Sequence, residues 1–210
     1  MEEELSTKKP WMMFAAICAI VMGIVLFCVI MGSYSSLLRA KGRINKGKSL
    51  LIAECEKRTG TLEALTAMAG ESLEPKLLDT MVENGKKCPA ILNRMEETKL
   101  PLEPELVLAF HTTQGRLSQD ISFLIRKLNQ NSVIGESKEF KDLKEAVKTH
   151  QDILDLATRR YNKQVRYFNQ RKLVFPGFLI ANWFHLDQWT FPELDPEIFT
   201  APEADSDQKQ

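Results

Sequence analysis

Hydrophobic positions fall into two regimes along the chain. From Trp11 to Gly32 there is no charged side chain and no polar face; beyond Ser33 the apolar residues recur at helical steps. The first run is 22 residues long. As a helix it would extend about 33 Å, against a hydrocarbon core of roughly 30 Å. A cleaved secretory leader has an apolar region of only ~7–15 residues and a small-x-small cleavage site. No such site follows in Met31-Gly32-Ser33-Tyr34. Residues 11–32 therefore read as one retained transmembrane helix behind a short amino-terminal segment, residues 1–10.

After the span, Leu37, Ile44, Leu51, Cys55, Leu62, Leu65 and Ala69 keep one face of a helix that continues out of the membrane, with Gly60 as a point where it could break. Leu73–Met95 carries a weaker pattern interrupted by Gly85 and Pro89. Leu106, Phe110, Thr113, Leu117, Ile121, Leu124 and Leu128 predict a helix opening at Pro104, where a missing N–H costs nothing. Asn129–Gly135 reads as a turn. Ser137 is a suitable cap for the clearest element, in which Phe140, Leu143, Val147, His150, Leu154, Ala157, Tyr161, Val165 and Phe168 form a stripe of coiled-coil or bundle type. Asp155 and Arg159 stand four apart on its polar side, as a pair should.

No strand alternation and no repeat of 20–50 residues accompanies these stripes. The predicted fold is all-α: a membrane helix followed by an antiparallel bundle of about four long helices over residues 33–191. Phe175-Pro176 should end the long helix, because proline disfavours helical geometry before it and donates no N–H. The aromatic segment beyond it holds Phe178, Trp183, Phe184, Trp189 and Phe191. The expectation is that Phe178, Trp183 and Phe184 fold back onto Tyr161, Val165 and Phe168; the competing reading is that the segment lies exposed as a partner or membrane-surface patch. Residues 192–210, rich in proline and acid, read as a disordered tail.

Net charge changes the picture only locally. The chain holds 28 basic and 28 acidic side chains, which excludes a globally basic nucleic-acid binder. Residues 1–9 sum to −1, residues 34–48 to +5 and residues 192–210 to −5. Arg39, Lys41, Arg43, Lys46 and Lys48 form a basic collar after the span, against Lys8 and Lys9 before it. That bias predicts a cytoplasmic bundle, and a collar able to attract anionic headgroups at about 1 kcal/mol per basic residue.

Candidate chemistry is sparse. Gly42-Arg43-Ile44-Asn45-Lys46-Gly47-Lys48-Ser49 fits the phosphate-loop pattern, in which backbone N–H groups cradle phosphates, the lysine reaches the outer ones and the hydroxyl holds magnesium. The pattern works only between a buried strand and a helix, and neither a strand nor a later magnesium-binding aspartate is apparent. A nucleotide-binding protein is accordingly the alternative reading, with a small-ligand sensor behind it. His111, His150 and His185 are far apart, and His150 belongs to the apolar stripe as a core histidine. Cys18 and Cys28 lie in the span, leaving Cys55 and Cys88, too few for a disulfide framework. No catalytic residue, metal site or cofactor is expected. Asn162 and Asn169, seven apart, lie on one side of the long helix, where asparagines near an apolar seam set register; with Arg159, Arg160 and Arg166 they could instead form a docking surface.

The run Arg160-Tyr161-Asn162-Lys163-Gln164-Val165-Arg166-Tyr167-Phe168-Asn169, then Phe175-Pro176, Ala181, Phe184 and Phe191, resembles the carboxy-terminal hallmark of the LemA family. Tyr34-Ser35-Ser36-Leu37-Leu38 resembles that family's tyrosine-asparagine start, with Ser35 in place of asparagine. Lys57-Arg58 before Leu62 and Leu65 is similar to its basic pair, without the usual proline. The resemblance implies an all-helical domain tethered to a bacterial inner membrane, or a membrane derived from it, with the bulk of the chain in the cytoplasm and no established enzymatic activity. One branch, that of the magnetosome protein MamQ, is associated with making magnetosome membranes. The implied role is a scaffold or interaction protein whose partners are the membrane and other membrane-associated proteins, with homo-oligomers allowed and nucleic acid not expected. Arg160, Tyr161, Asn162, Val165, Phe168, Asn169, Phe175, Pro176, Phe184 and Phe191 are its candidate structural or interface residues.

Overall fold

A computed structural model describes residues 3–70, 73–186 and 190–199, with side chains from Trp11 onward. Helix α1 runs without interruption from Glu3 to Ala69, about 100 Å at 1.5 Å per residue. Its amino-terminal part is apolar on all sides, and the most hydrophobic window has a mean hydropathy of 3.0 with no residue buried inside the protein. That is the surface a lipid solvent requires. Beyond Gly32 the same helix becomes one-sided: Leu37, Ala40, Ile44, Leu51, Cys55, Leu62, Leu65 and Ala69 are all buried. Gly60 does not break it.

Helix α2 spans Pro75–Glu97 and passes through Pro89, so the weak sequence pattern forms one continuous element. Gly85 serves packing there: a Cβ would stand 3.0 Å from Leu62 Cδ2. Helix α3 (Pro104–Gln130) starts at the proline marked for it. Asn131 caps the single-turn helix α4 (Ser132–Gly135) by accepting from Val133 N and Ile134 N. Helix α5 (Lys138–Arg171) is capped by Ser137 Oγ, which accepts from Phe140 N at 3.2 Å. A short helix α6 (Gly177–Trp183) and a 3-10 turn at Pro196–Phe199 complete the described chain. No strand occurs among the described residues.

The antiparallel register of α1 and α5 is set by four contacts: Glu54 with His150, Gly47 with Tyr161, Arg43 with Gln164, and Ser36 with Tyr167. Helix α5 thus runs back toward the apolar stretch of α1. Two cores result. The distal one gathers Leu62, Leu65, Met81, Leu117, Leu124, Leu128 and Phe140. The larger one, nearer the apolar stretch of α1, gathers Leu37, Ile44, Leu51, Leu92, Phe110, Leu154, Tyr161, Val165 and Phe168, with Ile30 and Tyr34 packed at its edge.

Candidate functional site

The family-hallmark residues sit on the last turns of α5 and meet the chain where it returns along the bundle. Residues 190–199, extended up to the 3-10 turn at Pro196–Phe199, form a strap rather than a free tail: Phe191, Leu194 and Phe199 are buried. Two asparagines hold it by its backbone. Asn162 Nδ2 donates to Leu194 O at 2.6 Å and its Oδ1 accepts from Leu194 N at 2.9 Å. Asn169 Nδ2 donates to Phe191 O at 3.0 Å while its Oδ1 accepts from Phe191 N at 3.3 Å. Each amide imitates a strand neighbour. The spacing follows from geometry: seven helical residues rise about 10.5 Å, and three extended residues cover about 10 Å. The asparagines were expected to set register within a helix seam; their amides instead pair with the strap.

Side chains finish the attachment. The rings of Phe191 and Phe168 meet edge-on with centroids 4.7 Å apart, and Phe199 meets Phe110 at 6.2 Å. Tyr161, buried against Gly47, donates to Pro192 O at 3.4 Å, and burial raises its phenol above the usual range. Val165 is fully buried in the same core, whereas Arg160 lies on the exposed side of α5. At the far end of the strap, buried Arg58 donates to Ser118 Oγ at 2.7 Å and to Phe199 O at 3.2 Å, with its guanidinium 5.7 Å from the Phe199 ring. Ser118 Oγ also donates to Ile198 O. Burial pulls Arg58 down to about 10, still far above neutrality, so it remains a cation. The disordered-tail expectation therefore fails for residues 192–199, and residues 200–210 lie outside the described chain. Arg58 belongs to this clamp too, and its basic-pair resemblance was the only sequence sign of it.

The aromatic corner is the opposite case. Helix α5 stops at Arg171, and Gly177 lets the chain reverse because a Cβ there would collide with the Arg171 carbonyl oxygen. The boundary near Phe175-Pro176 is as expected. The packing is not: Phe175 is 63% exposed, Phe178 47%, Trp183 69% and Phe184 47%. The strap occupies the surface of Tyr161 and Phe168 where those rings were placed, and α6 contributes only Gly177, Ile180 and Ala181 to the core. Phe184 instead stacks on Tyr34, ring centroids 4.5 Å apart. Trp189 lies outside the described residues.

The basic collar splits. Arg39, Arg43 and Lys46 are exposed and Lys41 is half-buried, but Lys48 is only 3% exposed. Its ammonium donates to Met95 O at 2.7 Å, Thr98 O at 2.8 Å and Glu96 O at 3.3 Å. These are carbonyls at the end of α2, where orphan acceptors and the negative end of the helix dipole favour a cation. Burial lowers the Lys48 pKa. The phosphate-loop reading fails on the same ground: Gly42–Ser49 is helical throughout, so its N–H groups are spent on the helix and its lysine is capped into a neighbour. Elsewhere the half-buried His150 meets Glu54 at 3.4 Å, and Lys57 meets the same carboxylate at 2.7 Å. Among the described residues no cluster of three His, Cys, Asp or Glu side chains could hold a metal. Cys55 is buried and pushed up to about 12, which leaves it a neutral thiol.

A helix long and apolar enough to cross a membrane, continued into a bundle that a carboxy-terminal strap closes, defines an all-α bundle protein with one candidate membrane span. Residues 56–205 match the LemA family, and the chain belongs to it. The match takes in the bundle from the last turns of α1 through the hallmark and the strap, and leaves the span and the first part of the buried α1 face outside. No curated protein and no solved structure matches the chain.

Proposed function

We propose that this chain is a membrane-anchored scaffold of the LemA type, holding a stiff helical bundle at a bilayer surface as a platform for other membrane-associated proteins. The observation that carries the reading is α1 itself. One unbroken helix supplies both the apolar span and a full buried face of the bundle, so force or orientation in one is transmitted to the other without a hinge. A swivelling tether would serve a diffusing enzyme; a fixed mount serves assembly. Organising or shaping a compartment, as in magnetosome membrane formation, is the specialised form of this role. Crosslinking and affinity recovery from native membranes tests it. Reproducible neighbours, or self-association, are expected; a chain recovered as an isolated monomer under crosslinking that captures known neighbours of other membrane proteins would overturn the proposal.

A further inference from the structure

The α5–α6 corner exposes Leu173, Val174, Phe175, Phe178, Leu179 and Trp183, each between 44% and 73% accessible. Such a contiguous apolar surface on a soluble body marks an interaction site. Its position identifies the occupant. The register of α5 against α1, continued at 1.5 Å per residue, brings Arg171 to roughly the level of residues 32–37. Gly177 stands against the Arg171 carbonyl, so the corner reverses at that level. Two contacts reach the same level independently: Phe184 stacks on Tyr34, and Ile30, inside the apolar span, packs against the core that includes Ile180 and Ala181. The corner therefore stands where α1 leaves the bilayer.

We propose that this corner is a second membrane contact, with Phe175, Phe178 and Trp183 inserted at the boundary of headgroups and acyl chains. The inference rests on α1 being a membrane anchor. Ring-bearing residues suit that depth because they present an apolar body and, in tryptophan, a polar edge to the headgroups. Exposed Arg171 precedes the patch directly in the chain, and exposed Arg39 lies just beyond the same level on α1, where anionic headgroups would attract them. A helix crossing alone leaves rotation about its axis free; a contact beside it fixes which face of the bundle looks along the membrane.

Trp183 is one of three tryptophans. With Trp11→Phe and Trp189→Phe it becomes the sole emitter in the full chain, reconstituted in protein-free vesicles of phosphatidylcholine and phosphatidylglycerol. Lipids brominated near the headgroup should quench most of its emission, and lipids brominated at the chain ends much less. Phe175→Asp with Phe178→Asp, both at exposed positions, should restore the emission while the chain still resists alkaline extraction. Retention on alkaline extraction with Trp183 unquenched, as for a tryptophan in water, would overturn the corner contact alone. Loss of the chain on extraction would overturn the anchor and this inference with it.

Discussion

Asn162 shows how a single polar side chain can close a helical domain. Leu194 is buried, so its N–H and C=O have no water to turn to, and the Asn162 amide answers both. Asn162→Ala leaves a buried donor and acceptor unmet, at a cost of about 1–3 kcal/mol for each. Urea unfolding of the full chain in detergent should register a drop of about 2–6 kcal/mol for the two together, and an unchanged midpoint would show that the strap holds on by its rings alone. Lys48 is the cationic counterpart. Lys48→Met keeps the stem but abandons the carbonyls of Met95, Glu96 and Thr98, and should cost about 2–3 kcal/mol in the same measurement. Glu54 gives a pH signature. The hydrogen bond from Lys57, with help from His150, holds its carboxyl below the reference value of 4.5. A depressed folded pKa means stabilisation that is complete above 4.5 and fades as pH falls through the folded value. The gap in Tm between the native chain and Glu54→Gln should therefore shrink steadily on acidification below 4.5; a gap independent of pH would show that the ionised carboxylate is not what stabilises.

At the level of elements, the helices were legible and the strap was not. The stripes of α1 and α5 repeat at three and four residues over long stretches, and every α1 position they marked is buried. Amphipathic periodicity survives because each helix turns the same face to one neighbour. The strap has no such period. Its anchors Phe191, Leu194 and Phe199 are separated by prolines and acids, and they dock on residues far away in sequence, so composition alone reads them as a solvated tail. The aromatic corner misled in the reverse direction, since large rings next to an apolar stripe read as core until the strap is seen to fill that place. These assignments separate cleanly in experiment. Phe199→Ala removes a ring that is 0% exposed and should cost ~3–5 kcal/mol. Phe184→Ala, at a half-exposed site, should fall far short of that, its loss confined to the stack on Tyr34. Equal losses from the two substitutions would show that the corner is packed as tightly as the strap.

On the anchored reading proposed above, the molecule lies partly in lipid and partly in water, and which water it occupies is decided as the span inserts. Orientation follows the basic residues close to the ends of a span as it inserts, and acids contribute little. Lys48 thus counts toward topology although folding later buries it, and the sequence tally of five basic residues after the span against two before it stands unreduced. The mature surface is different: Lys46 lies fourteen residues beyond Gly32, about 21 Å along the helix and past the ~8–10 Å over which salt leaves charges visible to a membrane. On that criterion Arg39, seven residues or about 10.5 Å beyond Gly32, and Arg171 from α5 are the basic residues near enough to touch headgroups once the bundle has formed. On the proposed reading, insertion and surface binding use different subsets of the same collar. A reporter active only outside the cytoplasm, fused after Gln210, should be silent in the native chain. Neutralising Lys46 and Lys48 together with Arg43 should weaken that bias and raise reporter activity, even though the first two lie too far from the bilayer to affect headgroup binding. High activity in the native chain would place the bundle on the opposite face, and the surface that α6 and the collar address would then be the outer leaflet.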